Sequence, residues 1–340
     1  MTTPMPVLCF GEMLLRLASP AGEMLLQTPQ LQAGFGGAEV NVAVSLARLG
    51  QPAAMLTVLP DNPLGLAAIA ALRSHGVDTS RVLVVPGRMG LYFLAPGAVS
   101  RPSEVTYDRA GSAFAEAELT GLPWRDLLRD IAWLHVSGVT PATGPKGAEG
   151  ALACMRAAAA AGAPASFDGN FRGKMWNAWG GDASAILGEL ISYAQLAFVD
   201  DRDIALVLGQ SFDKRDPLQR RREAAKAAFT RFPRLQCVAS TIRAPLSANR
   251  HDLSALMIDR GGREITSRPR QLEGIVDRVG GGDAFAAGLL YARLDGRDDQ
   301  SALDFALAAS CLKHSIAGDF NLASAAEVER SMVEDLDVKR

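Results

Sequence analysis

Short apolar runs alternate along the chain with longer segments in which apolar positions recur at helical spacing. The apolar runs predict buried strands, and the longer segments predict helices that end at glycines such as Gly50 and Gly76. The predicted strands are residues 7–10, 53–58, 133–136, 165–167, 194–199 and 237–240, and the predicted helices are residues 39–49, 64–75 and 147–161. Strands that are apolar throughout need cover on both faces. The pattern therefore predicts an α/β fold with a doubly wound, mostly parallel sheet flanked by helices.

Two segments, residues 12–35 and 88–111, interrupt this alternation with β-prone residues, glycines and prolines. We expect them to form a small β-sheet lid beside the main sheet. The main α/β domain, which would bind both nucleotide and substrate, then consists of residues 1–11, 36–87 and 112–340. The basic stretch 215–222 is interpreted as the solvated face of a helix.

Composition and charge narrow the class of protein. The 340 residues suit about two domains or one large α/β domain, and 48% hydrophobic with 21% charged residues is typical of a globular chain. With 35 Lys+Arg against 37 Asp+Glu, the net charge of −2 argues against a broad nucleic-acid surface. The absence of a long apolar run and of a basic signal sequence predicts a cytoplasmic protein without a membrane span. Four scattered cysteines exclude a disulfide scaffold and a zinc finger.

The segment from Asp277 to Phe285 combines a predicted strand (275–279), three glycines and a predicted helix (284–294). The glycines let a ligand approach the backbone closely, and the helix start offers free amides and a partial positive charge. We expect an anion hole for a phosphoryl group, formed by Gly280, Gly281 and Gly282. Asp283 follows at its edge, where a carboxylate can accept the proton of an attacking hydroxyl. The alternative is that Asp283 is only a helix N-cap.

A second candidate segment starts at Gly36 and Gly37, which open a predicted helix. Asn41 lies one turn inside this helix, where its amide can bond sugar hydroxyls. The alternative is a polar residue satisfied near a helix cap. Other nucleotide and hydrolase motifs are absent, because residues 169–175 lack the spacing and final Ser or Thr of a P-loop, and no G-x-G-x-x-G or G-x-S-x-G motif has the required context.

Together the two segments resemble the ribokinase-like (PfkB-type) carbohydrate kinases. That family has a GG-x-x-N-x-A pattern near its N-terminus and a D-x-x-G-A-G-D-x-F pattern near its C-terminus, here at residues 36–43 and 277–285. Both motifs occur in the family's order and at a matching separation, and the resemblance covers most of the chain. It implies a ribokinase-like fold and transfer of a phosphoryl group from ATP to a sugar.

A narrower similarity, to the 2-keto-3-deoxygluconate kinases, is carried by residues 90–93, 107–113, 134–141, 167–172 and 313–322. This resemblance implies Asp283 as catalytic base, and it implies substrate contacts by Gly37, Tyr92, Tyr107, Arg109 and Arg172. The chemistry fits, because guanidinium groups pair well with the carboxylate of a sugar acid, while tyrosines add hydroxyls and an apolar wall. A surface ion pair is the alternative for either arginine, and a contact to the transferred phosphate is a further alternative for Arg172.

The chain departs from the family pattern at three places. Gly281 replaces the alanine of the G-A-G step, and Asp200 and Asp203 stand where the family has its magnesium-linked N-x-x-E motif. We expect these two carboxylates to hold Mg²⁺ through water. The glycine-rich nucleotide segment is replaced by residues 240–250. The expected nucleotide contacts are Ser240, Arg243, Ser247 and His314.

These features predict ATP- and Mg²⁺-dependent phosphorylation of the terminal hydroxyl of 2-keto-3-deoxygluconate, giving 2-keto-3-deoxy-6-phosphogluconate, with a monovalent cation as a further candidate cofactor. Two alternatives stay open: the same reaction on fructose, ribose or a galactonate-derived keto acid, and a non-catalytic sugar-acid sensor on a kinase scaffold. The expected partners are the sugar acid and ATP, without nucleic acid or membrane. The resemblance also implies a homo-oligomer, with a dimer formed through the lid.

Overall fold

The computed structural model describes residues 5–333, so the first four and the last seven residues of the predicted main domain lie outside the described part of the chain. The strands are β1 (Val7–Phe10), β2 (Leu14–Ala18), β3 (Gln32–Gly36), β4 (Ala53–Pro60), β5 (Val82–Val85), β6 (Gly90–Ala95), β7 (Glu104–Asp108), β8 (Trp133–Ser137), β9 (Ala165–Asp168), β10 (Leu196–Phe198), β11 (Cys237–Ser247), β12 (Arg250–Asp259), β13 (Glu264–Thr266) and β14 (Arg270–Glu273). The α-helices are α1 (Ala38–Leu49), α2 (Pro63–Ser74), α3 (Trp124–Leu127), α4 (Pro145–Ala161), α5 (Gly173–Trp179), α6 (Ala183–Tyr193), α7 (Asp201–Leu208), α8 (Pro217–Arg231), α9 (Gly281–Leu294), α10 (Asp299–Lys313) and α11 (Ala325–Met332).

The larger sheet runs in the order β13-β12-β11-β10-β9-β8-β1-β4-β5, and β14 pairs with β12 as well. The pairings from β11 to β5 are parallel, whereas those of β12 with β11, β13 and β14 are antiparallel. Successive residues of β1 point to opposite faces: Leu8 and Phe10 pack in one hydrophobic core, and Val7 and Cys9 pack in the other. A mostly parallel sheet with a core on each face confirms the predicted fold class.

Helix ends follow local signals that the sequence contains. The Asn62 side chain accepts hydrogen bonds from the amides of Leu64 and Gly65 at the start of α2. α1 ends at Gly50, whose φ of 96° is left-handed and therefore suits glycine. The predicted helices differ from the observed ones by one to three residues at their ends.

The second sheet has four strands in the order β3-β2-β6-β7, built from the two segments that interrupt the alternation. β2 and β6 pair in parallel, and each has an antiparallel partner on its outer side. Alternate residues of β6, including Tyr92 and Leu94, are buried. The small separate sheet is confirmed. Its strand β3 ends at Gly36, one residue before the N-cap of α1, so this sheet adjoins the start of that helix.

The predicted strand at residues 275–279 is wrong, because this segment is an irregular loop. The Asp277 carboxylate accepts a hydrogen bond from the amide of Val279 at 3.0 Å and pairs with Arg16 at 2.5 Å. These side-chain bonds hold the backbone in place of strand pairing. α9 also begins at Gly281, three residues earlier than predicted.

The interpretation of residues 215–222 as a solvated helix face is wrong for two arginines of α8. Arg220 donates to Asp201 at 3.0 Å, and Arg221 lies 4.0 Å from Asp200 with 11% of its side chain exposed. Both carboxylates belong to the start of α7, just after β10. The basic stretch therefore brings positive charge to the carboxyl end of the parallel sheet.

The described part of the chain, residues 5–333, contains no helix that is long and apolar enough to cross a bilayer. The four cysteines are free thiols, and Cys9, Cys154 and Cys237 are buried. The three buried thiols serve as small apolar core residues.

Candidate active site

The glycine turn before α9 is fixed by close packing as well as by its backbone angles. Gly280 has a left-handed φ of 84°, and a Cβ there would lie 2.1 Å from the carbonyl oxygen of Asp319. A Cβ on Gly281 would lie 2.8 Å from the His314 ring, whereas one on Gly282 would meet open space. Glycine is thus required at two positions by the protein and leaves room for a ligand at the third.

The amides of this turn are available in part. The Gly281 amide already donates to the carbonyl of Arg278 at 3.2 Å. The Gly282 amide has no acceptor among the described residues, and it lies in the first turn of the 14-residue helix α9. A helix start with a free amide and a partial positive charge suits an anion. The predicted anion hole is therefore centred on Gly282.

Asp283 is not the N-cap of α9, because Gly280 occupies that position and Asp283 lies in the first turn. The cap interpretation is wrong. The Asn41 side-chain amide donates to Asp283 Oδ2 at 2.6 Å, so Asn41 orients this carboxylate. Burial raises the pKa of Asp283 to about 7, and the negative charge of Asp319 also raises it. The hydrogen bond from Asn41 and the positive charge of Arg172 act in the opposite direction and lower this pKa. A carboxyl group with a pKa near neutrality suits a general base.

Two cavities meet beside Asp283. The first, of about 720 Å³, lies between the small sheet and the carboxyl end of the main sheet, and its wall contains Gly37, Asn41, Tyr92, Tyr107, Arg109, Arg172, Gly280, Gly282 and Asp283. The second, of about 630 Å³, lies between α7, α8 and β11, and its wall contains Asp200, Asp203, Ser240, Arg243 and Gly282. We call them the sheet cavity and the hairpin cavity. They share Asp168, Arg202, Thr241, Arg243 and Gly282.

Arg109 lies in the wall of the sheet cavity with 7% of its surface exposed, so it is not a surface ion pair. Its Nε donates to Glu12 Oε2 at 2.7 Å, and Ser112 Oγ donates to the other oxygen of Glu12 at 2.5 Å. The Arg109 guanidinium also lies 5.7 Å from the Tyr107 ring centre. The positive charge of Arg109 is therefore balanced by a buried glutamate that the sequence analysis did not single out.

Tyr92 and Arg172 differ from Arg109 in what they offer a ligand. The Tyr92 hydroxyl donates to Asp319, and burial raises the pKa of Tyr92 above its usual range, so this side chain presents mainly its ring to the cavity. Arg172 is exposed at the start of α5, and no carboxylate among residues 5–333 forms an ion pair with it. Arg172 is thus a cation of the sheet cavity that is available to a ligand, as is Arg243, which has no ion pair among the described residues either.

A family model described as pfkB family carbohydrate kinase matches residues 6–240 and 251–321. The chain belongs to the pfkB family of carbohydrate kinases. A 2-dehydro-3-deoxygalactonokinase of Haloferax volcanii is 31% identical, over 94% of this chain and 94% of that protein. A 2-dehydro-3-deoxygluconokinase of Bacillus subtilis is 25% identical, over 92% of this chain and 90% of that protein. The crystal structure of a 2-dehydro-3-deoxygluconokinase from Thermotoga maritima is 37% identical, with a TM-score of 0.90 over 97% of this chain and 99% of that chain.

The match to the pfkB family is interrupted at residues 241–250, and the structure shows what stands there. β11 extends well beyond the predicted 237–240 and joins β12 in a long antiparallel hairpin. Ser240 and Arg243 of this hairpin line the hairpin cavity. Ser247 lies at the far end of the hairpin, outside both cavities. Its hydroxyl accepts a hydrogen bond from the backbone amide of Asn249.

In this pfkB kinase the predicted nucleotide contact His314 lies behind the glycine turn. Its ring is 3% exposed, stacks edge-on against His251 at 5.0 Å, and its Nδ1 contacts the carbonyl of Ser310. Burial lowers the pKa of His314 to about 4, which keeps the ring neutral near pH 7. The structure thus brings His314 to Gly281 and not to either cavity.

The acidic residues of the pfkB kinase form a group at the cavity junction. Asp200 and Asp203 make a capping box at the start of α7, and Asp200 also pairs with Arg202. Burial and the neighbouring Asp200 raise the pKa of Asp203 to about 6. No cluster of three or more potential metal ligands occurs among residues 5–333. A cation at Asp200 and Asp203 would therefore need water to complete its coordination.

Asp168 is a candidate site residue that the sequence analysis did not select. It ends β9 and lines both cavities. Burial and the nearby carboxylates of Asp283 and Asp203 raise the pKa of Asp168 well above its usual range. The available signal was positional, because ligands of open α/β sheets bind at the carboxyl ends of the strands.

Proposed function

We propose that this sugar kinase transfers the γ-phosphoryl group of ATP to the terminal hydroxyl of 2-keto-3-deoxygluconate, also called 2-dehydro-3-deoxygluconate. The observation that carries the proposal is the meeting of two cavities at Gly282, next to a buried carboxyl group with a pKa of about 7. One cavity suits the sugar acid and the other suits the nucleotide. The names of the relatives from Bacillus subtilis and Thermotoga maritima support the substrate.

Proton removal is assigned to Asp283. The carboxylate held by Asn41 accepts the proton of the terminal hydroxyl as the oxygen attacks phosphorus. The free amide of Gly282 and the start of α9 stabilise the charge on the moving phosphoryl group. Such a step needs donor and acceptor in line, and we expect the two substrates to meet at the wall that the two cavities share.

The carboxylate of the sugar acid would pair with Arg172, which has no acidic partner of its own. Gly37 also lines the sheet cavity, and glycine is required there because a Cβ would lie 2.3 Å from the Glu12 carbonyl oxygen. The rings of Tyr92 and Tyr107, with centres 6.3 Å apart, form the apolar wall. Arg109 supports this wall through Glu12.

On the nucleotide side, we propose that Ser240 and Arg243 contact the phosphates, with Ser247 further along the hairpin. Asp200 and Asp203 would hold Mg²⁺ through water, and this ion supplies positive charge between the phosphates when bound. Burial, and to a lesser extent the neighbouring Asp200, raises the pKa of Asp203, and a bound cation would stabilise the ionised carboxylate. We assign His314 to support of the glycine turn. A homodimer through the small sheet and a cytoplasmic location remain separate predictions.

The galactonate-derived keto acid is the second candidate substrate, supported by the name of the Haloferax volcanii relative. The two sugar acids share the carboxylate and the terminal hydroxyl and differ in the configuration of one hydroxyl carbon. Arg172 and Asp283 would serve both equally. Fructose and ribose lack the carboxylate that Arg172 would bind.

The test is ATP turnover with Mg²⁺ across 2-keto-3-deoxygluconate, its galactonate-derived epimer, fructose and ribose, with Asp283→Asn as the inactive control. We expect kcat/KM for 2-keto-3-deoxygluconate to exceed that for fructose or ribose by at least about 100-fold, because an uncharged sugar leaves the cation unpaired. Equal or faster turnover of fructose or ribose would sink the sugar-acid proposal. Preference for the epimer would select the second candidate, and no turnover of any sugar would favour the sensor. Full activity in excess EDTA would contradict the role of Mg²⁺.

A further inference from the structure

A buried group of charged and polar side chains lies behind the glycine turn. We call it the rear cluster, and it consists of Arg16, Tyr92, Asp277, Lys313 and Asp319. Arg16 pairs with Asp277 at 2.5 Å and with Asp319 at 2.7 Å. Arg16 belongs to β2 of the small sheet, while the two aspartates belong to loops of the main domain. The rear cluster therefore joins the two sheets directly behind the site.

Lys313 is the second cation of the rear cluster and is fully buried, with 0% exposed surface. Its ammonium donates to the carbonyl of Ile316 at 2.8 Å, and no carboxylate in the described chain lies within ion-pair distance of it. Burial lowers the pKa of Lys313, while the charges of Asp277 and Asp319 act in the opposite direction. Two cations thus face two carboxylates. A buried charge with one direct partner is costly, which singles out Lys313 as a residue with a specific task.

The position of Lys313 suggests that task. A Cβ on Gly280 would lie 3.2 Å from Lys313 Cε and 2.1 Å from the Asp319 carbonyl oxygen, so the turn rests on both residues. Asp277 holds the same two loops together, because its carboxylate accepts the amides of Val279 at 3.0 Å and Gly318 at 3.1 Å. The loop that follows α10 is therefore the support on which the anion-hole turn is built.

We propose that Lys313 is a positioning residue for phosphoryl transfer: its ammonium fixes the loop 316–319, and through this loop it holds the Gly280 turn whose next amide faces the transferred group. The same ammonium adds a permanent positive charge behind the start of α9. Because the charge belongs to the chain itself, turnover should not depend on a monovalent cation. The proposal rests on the anion hole described under the proposed function.

The first experiment is Lys313→Gln, which keeps a donor for the Ile316 carbonyl and removes the charge. We expect kcat to fall about 10- to 100-fold, somewhat less than the ~10²–10³-fold loss of an anion-hole donor itself. KM for the sugar should change less than about threefold, because Lys313 does not line the sheet cavity. The acid limb of the pH–rate profile should move to higher pH, because Asp283 loses a nearby cation. The other groups that face Asp283 are Asn41, Glu39, Asp168, Arg172 and Asp319, and the substitution leaves them in place. Lys226→Gln, on the exposed face of α8, is the matched control and should leave both kcat and the profile unchanged.

The second experiment is chemical rescue. Lys313→Ala leaves space for a small cation, so methylammonium should restore several-fold of the lost kcat, and methanol at the same concentration should not. Wild-type turnover should be equal in K⁺ and tetramethylammonium buffers. Wild-type kcat and pH profile in Lys313→Gln, absence of rescue, or K⁺-dependent wild-type turnover would each overturn the proposal. So would failure of every uncharged variant to fold, because Lys313 would then serve stability. The assay uses whichever sugar the wild type phosphorylates fastest, so an error in the proposed substrate leaves this test intact.

Discussion

Both cavities contain arginine and aspartate side chains, and they differ in how these side chains are supported. In the sheet cavity, Arg109 and Asp283 are buried and each has a fixed partner, Glu12 and Asn41. In the hairpin cavity, Arg243 and Arg202, which the sheet cavity shares, are exposed, and Arg202 bonds a carboxylate of its own helix turn. Buried side chains with a fixed partner are preorganised and act on the chemical step, whereas exposed charged side chains contribute mainly to binding.

This difference gives each side chain an expected signature. Substitutions of the buried, partnered side chains of the sheet cavity should change kcat, its pH dependence or the stability of the fold, whereas substitution of its exposed Arg172 should change KM for the sugar acid. Substitutions in the hairpin cavity should change KM for ATP and its salt dependence. The following predictions test this division.

Replacement of the proposed base should have the largest effect. Asp283→Asn keeps the size of the side chain and its contact with Asn41 but removes basicity, so kcat should fall about 10²–10⁴-fold. Pre-steady-state kinetics should show that chemistry limits both enzymes. A variant that retains more than about a tenth of wild-type turnover would reduce Asp283 to an orienting role.

Arg109 should matter more for folding than for chemistry. Arg109→Met leaves the buried Glu12 carboxylate unpaired, which should cost about 3–5 kcal/mol in the free energy of unfolding by urea. The double variant Glu12→Gln/Arg109→Met should recover most of this loss. If the single variant is as stable as the wild type, the pair is not structural and Arg109 is free to bind substrate.

Arg172 should show the opposite behaviour. Arg172→Ala removes a cation of the sheet cavity that has no carboxylate partner, so KM for the keto acid should rise about 10–150-fold, the value of a charged hydrogen bond of roughly 1.5–3 kcal/mol. The free energy of unfolding should stay unchanged because the side chain is exposed and unpaired. Lys174→Ala on the same helix is the control. An increase in KM for ATP instead would place Arg172 at the transferred phosphate.

The raised pKa of Asp283 predicts a pH dependence with a definite sign. As a base it must be ionised, so kcat/KM should fall about tenfold per pH unit below about 7 and level off above it. The folded state holds this proton more tightly than the unfolded state, so stability from this group is lost as pH rises from the usual carboxyl range through about 7. Asp283→Asn should abolish both effects. A kcat/KM that is flat between pH 5 and 8 would contradict the assignment.

The smallest effect is expected in the hairpin. Arg243→Ala should raise KM for ATP about two- to fivefold with kcat unchanged, because an exposed charge contact is worth roughly up to 1 kcal/mol. The effect should shrink as salt is added. Arg234→Ala, exposed beyond the end of α8, is the control. A 100-fold loss of kcat in Arg243→Ala would show that the division between the two cavities is too simple.

The fold was largely predictable because both faces of the main sheet are covered. A strand such as β1 is therefore apolar at every position, which is a signal within four residues. Asp283 and the glycine turn were predictable for a similar reason, since the glycines and the helix start lie in one short segment. Interactions between residues that are close together in the sequence determine these features.

Features that depend on distant partners were not predictable. Residues 275–279 have the composition of a strand, but they form a loop. The Asp277 carboxylate that holds this loop is paired with Arg16, 261 positions away. Arg109 meets Glu12 across 97 positions, so nothing near either residue reveals that the charge is already balanced. Asp168 could have been selected from its place at the end of β9 alone.

The pairing of Arg16 with Asp319 also has a consequence for how the protein is made. These residues are 303 positions apart, so at a synthesis rate of about 5–20 residues per second the ribosome needs roughly 15–60 s to deliver the partner of Arg16. Throughout that interval the strand β2 carries a guanidinium that cannot yet be buried, and Tyr92 of β6 lacks its acceptor. The small sheet can therefore dock in its final position only after residue 319 has left the ribosome.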